Sequence, residues 1–275
     1  MNSSQNQPQV IPYPNFYQSV ILVIIIHLLF LFFHYLIKFS AKLIINNQSV
    51  LIPELPYQIL YLVIFSIVII YARQKSGMVL SPLFTFRPMM IKTLLAISVL
   101  IIGSSIVLSE GENFARILFN TGYPENKGYL FTQTVSGFLT FCILAPILEE
   151  ILFRGIILRG FFIRYNPVLA ILMSSMVFGI AYTDPLRMTG AFFFGIFLSW
   201  ITIQSGSVIL AIWAHISANV LSFILSLNLL PYIEGFTPPP DSSRSIIIHQ
   251  HPLFTIAGVV ATVIGIWCLL RDTRK

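Results

Sequence analysis

Repeated apolar runs, each close to the length of a membrane-spanning helix, constrain this chain more than any other feature. A helix needs about 20 apolar residues to cross a bilayer. Runs that approach this length lie at residues 18–37, 55–71, 91–109, 129–148, 167–182, 188–204, 207–229 and 252–270. Several are short, which favours tilted or partly buried helices. The sequence therefore predicts an all-α fold, a polytopic transmembrane bundle of about eight membrane-spanning helices.

The composition supports the same fold class. Of 275 residues, 56% are hydrophobic and 9% are charged, whereas a soluble domain carries about 25% charged residues. The net charge of +6 does not indicate a nucleic-acid partner, because the basic residues adjoin the apolar runs and no basic cluster interleaves with exposed aromatic residues. We expect the lipid bilayer to surround the chain, and we expect no nucleic acid as a partner.

The basic residues also predict the orientation in the membrane. An even number of spans places both termini on one side, and ten of the sixteen lysines and arginines fall on that side. Because basic residues favour the cytoplasmic side, we expect a multi-pass protein of the plasma membrane with both termini cytoplasmic. No positively charged segment precedes the first apolar run, so no cleavable signal peptide is expected.

Four regions follow from these patterns. Residues 1–16 are uncharged and rich in Asn, Gln and Pro, which predicts a flexible tail. Residues 17–128 hold the N-terminal transmembrane helices and loops, and residues 129–230 hold the helices with the polar motifs described next. Residues 231–275 hold a Pro-rich aqueous loop, the last span and a basic tail. No internal repeat is visible, which disfavours transporters built from repeated halves.

The segment "FCILAPILEEILFRGIILRGFF" places Glu149, Glu150 and Arg154 inside an apolar run. Placing an ionised group in a membrane costs a few kcal/mol or more unless the group is paired or faces a water-filled cavity. Glu150 and Arg154 lie four residues apart, so on a helix they share a face and can form an ion pair. Glu149 is rotated by about 100° from Glu150. One carboxylate is thus neutralised, and the other is a candidate general base acting on water.

Two further features surround this acidic pair. Pro146 removes a helical hydrogen bond and predicts a kink or a loosened helix near the carboxylates. Arg159 and Arg164 follow on the same segment. They support an alternative interpretation, in which the acidic pair and Arg154 form only a helix-end ion pair near the membrane interface.

A second polar pair lies in "WAHISANVLSF", where His215 and Asn219 are four residues apart on one helical face. Both could donate to a developing oxyanion, or His215 could act as an acid or base that Asn219 orients. The alternative is a buried pair that packs and hydrogen-bonds between helices.

Together, "EEILFR" and "HISAN" resemble the CAAX protease and bacteriocin-processing family of intramembrane proteins, which includes the type II CAAX prenyl endopeptidases. The signature of that family is Glu-Glu-x-x-x-Arg, then Phe-x-x-x-His, then His-x-x-x-Asn, each on a different helix, and the resemblance covers roughly residues 130–230. It implies that Glu149 is the general base, that Glu150 and Arg154 support it, and that His215 and Asn219 stabilise the oxyanion.

The second motif departs from the family pattern. This chain has "FGIAY", with Phe178 at the first position and Tyr182 where the family has histidine. In the family, that histidine is thought to help activate the attacking water. A phenol with an ordinary pKa of about 10 is a poor base at neutral pH, and losing an acid–base partner typically costs about 10²- to 10⁴-fold in rate. Phe178 and Tyr182 remain further candidate site residues.

The resemblance implies an intramembrane glutamate-type endopeptidase that hydrolyses a peptide bond of a membrane-associated, prenylated or leader-peptide substrate. The alternative is a catalytically impaired relative that acts as a membrane binding, regulatory or bacteriocin-immunity protein. A proton-coupled transporter ranks last. The family was once described as metal-dependent, but we expect no metal and no other cofactor here.

The remaining polar residues of the apolar runs are expected to be structural. His27 and His34 lie seven residues apart in the first span and are expected to pack and hydrogen-bond within the bundle. His249 and His251 alternate in an aqueous loop, where a metal role is a minor alternative. Asp184 is expected to be a turn or cap residue.

Overall fold

The structure, a computed structural model, describes residues 13–44, 54–77, 91–120, 134–227, 231–237 and 247–273. Within these ranges every regular element is a helix, which confirms the predicted all-α class. Most of the predicted flexible tail (residues 1–12), the Pro-Pro-Pro run at 238–240 and the basic end at 274–275 lie outside the described residues.

Eight helical units follow one another along the described chain. They are α1 (Phe16–Ile44), α2 (Glu54–Ser76), α3 (Ile91–Leu118), α4 (residues 135–164), α5 (Pro167–Ile180), α6 (Pro185–Ser205), α7 (Val208–Ser226) and α8 (Pro252–Thr273). By length and composition, six of them can cross a membrane, namely α1, α2, α3, α6, α7 and α8. The prediction of about eight spans is therefore approximate, because α5 has only 14 residues and α4 is not one regular helix.

Helix α4 consists of five consecutive segments: Val135–Phe138, Leu139–Leu144, Ala145–Glu150, Ile151–Leu158 and Arg159–Arg164. The second and fourth segments are π-helical, with i→i+5 hydrogen bonds that are rare and frequent at functional sites. Pro146 lies in the first turn of the central α-helical segment, which continues directly from the preceding π-helical one, so it removes a hydrogen-bond donor from the continuous helix. The loosening predicted around the acidic pair thus takes the form of two π-helical stretches.

The caps of α5 and α6 fix the hairpin that these helices form. Asn166 accepts a hydrogen bond from Leu169 N at the start of α5. Asp184 accepts one from Arg187 N, 2.8 Å away, at the start of α6. Asn and Asp are favoured at this position because their side chains satisfy an unpaired N–H of the first turn. The prediction that Asp184 is a cap residue is confirmed.

Two apolar clusters form the core of the bundle. The first joins α1, α2, α4 and α5 through residues such as Leu22, Phe65 and Phe153, and the second joins α3, α6, α7 and α8 through residues such as Leu100 and Leu198. Other large apolar side chains, many of them on α1 and α8, are exposed. Extended exposed apolar surface of this kind suits a lipid environment, and the chain is an integral membrane protein.

Helices α3 and α8 approach each other closely through glycine. A Cβ atom on Gly103 would lie 2.5 Å from the backbone nitrogen of Thr262 and 2.7 Å from the carbonyl oxygen of Gly258. A Cβ atom on Gly265 would lie 2.6 Å from Cβ of Leu100. Small residues at helix contacts are typical of membrane bundles, where close packing replaces the hydrophobic effect as the source of association.

We expect Gly103→Ala to destabilise the protein by about 1–3 kcal/mol, because the added methyl group meets backbone atoms that cannot rotate away. Gly111→Ala in the same helix is the matched control, since a Cβ atom there meets nothing within 4 Å. Thermal unfolding in detergent measures both variants. Equal melting temperatures for the two variants would contradict the close contact between α3 and α8.

Candidate active site

Helix α4 carries the predicted ion pair into the interior of the bundle. Nη1 of Arg154 lies 2.9 Å from Oε1 of Glu150, and both side chains are 0% exposed. Nη2 of Arg154 donates to the carbonyl oxygen of Gly195 on α6, 3.3 Å away. The guanidinium carbon lies 4.5 Å from the ring centroid of Phe178, a favourable cation–π distance. Complete burial and these contacts distinguish the pair from a helix-end ion pair.

His215 of α7 joins the same carboxylate. Its Nδ1 lies 2.8 Å from Oε1 of Glu150, and its Nε2 lies 3.9 Å from Oε2 of Glu149. The imidazole ring is held edge-on by Phe178 and Phe194, with centroid distances of 6.0 and 5.4 Å. Glu150 therefore orients the histidine so that its second ring nitrogen faces Glu149.

Glu149 has different surroundings from its neighbour. Its side chain is 15% exposed, against 0% for Glu150. The hydroxyl group of Tyr61, on α2, donates a hydrogen bond to Oε1 of Glu149. Sequence reasoning missed Tyr61, because a single tyrosine in an apolar run 88 residues away forms no motif with the carboxylates.

Tyr182 packs against the first apolar cluster, which α4 and α5 share. It follows the C-terminal end of α5, where its backbone N–H donates to the carbonyl oxygen of Gly179, 2.9 Å away. Its ring packs edge-on against Phe178 at 5.8 Å, and Phe178 contacts both Arg154 and His215. Both residues of the altered second motif thus lie in the same cluster as the acidic pair.

Asn219 is engaged elsewhere, one turn further along α7. Its Nδ2 donates to the carbonyl oxygen of Phe141 on α4, 2.9 Å away. In the π-helical stretch, the N–H of Ala145 bonds to the carbonyl of Thr140, so the next N–H would serve Phe141. That position is Pro146, which has no N–H. The Asn219 side chain therefore replaces the donor that proline removes.

Some polar atoms of the cluster have no partner. Among the described residues, four buried side-chain atoms lack a hydrogen bond: Gln58 Oε1, Glu150 Oε2, Arg154 Nε and Ser199 Oγ. Two of these atoms belong to the buried ion pair of Glu150 and Arg154. Within the same described ranges, no group of three His, Cys, Asp or Glu side chains is arranged to hold a metal ion.

The other histidines form local contacts. Nδ1 of His27 lies 2.9 Å from a carbonyl oxygen one turn earlier in α1, and the ring of His34 packs against Tyr57 at 5.3 Å. These contacts agree with the packing role predicted for the first span. His249 lies 2.6 Å from Glu110 of α3, so it attaches the aqueous loop before α8 to α3.

A double-mutant cycle can test whether the Asn219 amide replaces the N–H that Pro146 lacks. We expect Asn219→Ala to cost about 1 kcal/mol of unfolding free energy, because it leaves the Phe141 carbonyl without a donor. In a Pro146→Ala background, residue 146 supplies an N–H and the cost of Asn219→Ala should shrink. Unfolding of the four proteins in detergent gives the coupling energy. Strict additivity would show that the two residues do not serve the same carbonyl.

Comparison with known proteins identifies the region that holds these motifs. Residues 131–221 match the family model described as Type II CAAX prenyl endopeptidase Rce1-like. An "Uncharacterized 24.3 kDa protein" of Escherichia coli is 37% identical over 91 residues, which is 31% of this chain and 42% of the relative. The "Putative membrane peptidase YdiL" of Bacillus subtilis (strain 168) is 32% identical over 106 residues, 38% of this chain and 42% of the relative. No solved structure matches this chain significantly.

The alignments cover less than half of the length of each of these relatives. In this chain the region that matches the family model runs from just before α4 into α7 and includes the acidic pair, Tyr182, His215 and Asn219. Tyr61 and the helices α1, α2, α3 and α8 lie outside it. The resemblance predicted from the motifs is therefore confirmed, because residues 131–221 match the model of the Rce1-like type II CAAX prenyl endopeptidases.

Proposed function

We propose that this chain is an intramembrane endopeptidase in which Glu149 activates the attacking water. The observation that carries the proposal is the difference between two adjacent carboxylates. Glu150 is fully buried and bound by Arg154 and His215, whereas Glu149 is partly exposed. Paired carboxylates in unlike surroundings are typical of sites where one group reacts and the other supports.

The reaction steps follow from this division of roles. Glu149 accepts a proton from water, and the resulting hydroxide attacks the carbonyl carbon of the peptide. His215, when it carries both ring protons, holds Glu150 through Nδ1 and donates from Nε2 to the oxyanion of the tetrahedral intermediate. The C–N bond then breaks, and the proton on Glu149 passes to the leaving amine. The products are a carboxylic acid and an amine, and the acid then gives its proton to the amine, which leaves a carboxylate and an ammonium group.

The role of Asn219 depends on its bond to α4. The family resemblance implies that Asn219 is a second oxyanion donor. Its amide is bound to the carbonyl of Phe141, 2.9 Å away, so donation to substrate requires it to give up that bond. In the proposed function Asn219 holds α4 against α7, and His215 is the principal donor to the oxyanion.

We further propose that the substrate is a membrane-associated peptide, either prenylated or part of a leader, and that the protein lies in the plasma membrane with both termini cytoplasmic. The matched endopeptidase family and the six apolar helices support this assignment. The impaired alternative is favoured by one observation, namely that Tyr182 stands where the family has histidine and packs against Phe178 of the site.

We expect the purified protein to cleave members of a peptide library that includes prenylated and leader sequences. Glu149→Gln should reduce kcat/KM by about 10²- to 10⁴-fold, because the amide cannot accept the proton from water. Glu112→Gln is the matched control, since that carboxylate pairs with Arg116 on α3. Wild-type activity in Glu149→Gln would contradict the proposed base.

The same assay distinguishes the impaired alternative. Tyr182→His should raise the rate, because it restores the acid–base group that the family has at the second motif. Cleavage by Tyr182→His without cleavage by the wild type would establish an impaired member of the family. Equal, measurable rates in the two proteins would show that the chain is active without the histidine of the second motif.

A further inference from the structure

We propose that Tyr61 of α2 is a positioning residue for Glu149, and this inference rests on the proposed function. The Tyr61 hydroxyl donates to Oε1 of Glu149. The other oxygen, Oε2, is the one that lies 3.9 Å from Nε2 of His215. The two oxygens of one carboxylate therefore face different partners, with Tyr61 on one side and His215 on the other.

The hydrogen bond from Tyr61 to Oε1 fixes the direction in which Oε2 of Glu149 points. Without Tyr61, the Glu149 side chain could rotate and direct either oxygen toward His215 or away from it. The separation of 3.9 Å between Oε2 and Nε2 is too long for a direct hydrogen bond, and one water can bridge groups at such separations. Tyr61 thus fixes the oxygen that would accept the proton from the attacking water.

Tyr61 is itself held rigidly enough for this role. Its ring packs on Phe65, one turn further along α2, with a centroid distance of 4.5 Å. It contacts the first apolar cluster, to which α2 contributes Ile64, Phe65 and Val68. A tyrosine has only two side-chain torsions, so packing of the ring also fixes the hydroxyl. Positioning groups on packed helices hold their geometry better than groups on loops.

Tyr61 also bears on the altered second motif. Tyr182 packs against Phe178, and Phe178 contacts the imidazole ring of His215 and the guanidinium group of Arg154. Tyr61 thus adds a second tyrosine to a site whose family pattern has a histidine at position 182. Tyr61 bonds to Glu149 although it lies outside the matched region 131–221, so α2 contributes a side chain to the site.

The test uses Tyr61→Phe in the full-length protein in lipid nanodiscs. Tyr57→Phe is the matched control, one turn earlier on α2, where the ring packs against His34. With a cleaved substrate, we expect kcat of Tyr61→Phe to fall roughly ten- to a hundredfold with unchanged KM, because a misplaced reacting group costs up to about 10²-fold. Tyr57→Phe should keep the wild-type kcat. An unchanged kcat in Tyr61→Phe would overturn the proposal.

A second readout does not depend on cleavage. Infrared spectra of protein labelled with ¹³C-glutamate contain a carboxyl band of Glu149, which is assigned by its loss in Glu149→Gln. We expect this band to shift in Tyr61→Phe and to stay in place in Tyr57→Phe. A shift in a protein that cleaves no substrate would uphold the positioning of Glu149 while the protease function fails. An unshifted band would overturn the role of Tyr61 whatever the activity.

Discussion

The buried ion pair between Glu150 and Arg154 is the interaction on which the rest of the site depends. Both side chains are 0% exposed, and withdrawing each ion from water costs several kcal/mol. The carbonyl of Gly195, the ring of Phe178 and the imidazole of His215 offset this cost by direct contact with the pair. Removing one partner of such a pair costs about 3–5 kcal/mol, so the pair holds α4, α5, α6 and α7 in one arrangement.

This arrangement gives the two neighbouring glutamates different surroundings. Because Glu150 binds both Arg154 and His215, it orients the histidine toward Glu149, as the proposed division into a support and a base requires. Glu149 retains partial exposure and a single anchoring hydroxyl from α2. The π-helical stretches on either side of the acidic segment change the hydrogen-bond register of α4 close to these residues. The irregular part of α4 is thus the part that carries Glu149 and Glu150.

The parts of this site that sequence predicted are those set by spacing along one helix. Glu150 and Arg154 pair because residues four apart share a helical face, and Asp184 caps α6 because short acidic side chains favour that position. His215 and Asn219 share a face as well, but four residues of helix separate them by about 6 Å along the axis. They therefore reach different partners, namely Glu150 and the carbonyl of Phe141.

The parts that sequence did not predict depend on contacts between distant segments or on backbone groups. Tyr61 meets Glu149 across 88 residues, with no pattern to join them. The amide of Asn219 donates to the carbonyl of Phe141. That carbonyl lacks a backbone donor because of Pro146 and the π-helical turn, and a motif of side chains cannot predict such a backbone group. The count of eight spans was approximate for a related reason, since apolar length alone cannot separate the 14-residue helix α5 from a full span.

Carbodiimide labelling of the intact protein in detergent, read by mass spectrometry, tests the unequal surroundings of the two glutamates most directly. Glu149 is 15% exposed and Glu150 is 0% exposed, so the reagent should modify Glu149 and leave Glu150 unmodified. Both should react after unfolding, which controls for intrinsic reactivity. Equal modification of the two carboxyls in the folded protein, or preferential modification of Glu150, would contradict the division of roles on which the proposed function rests.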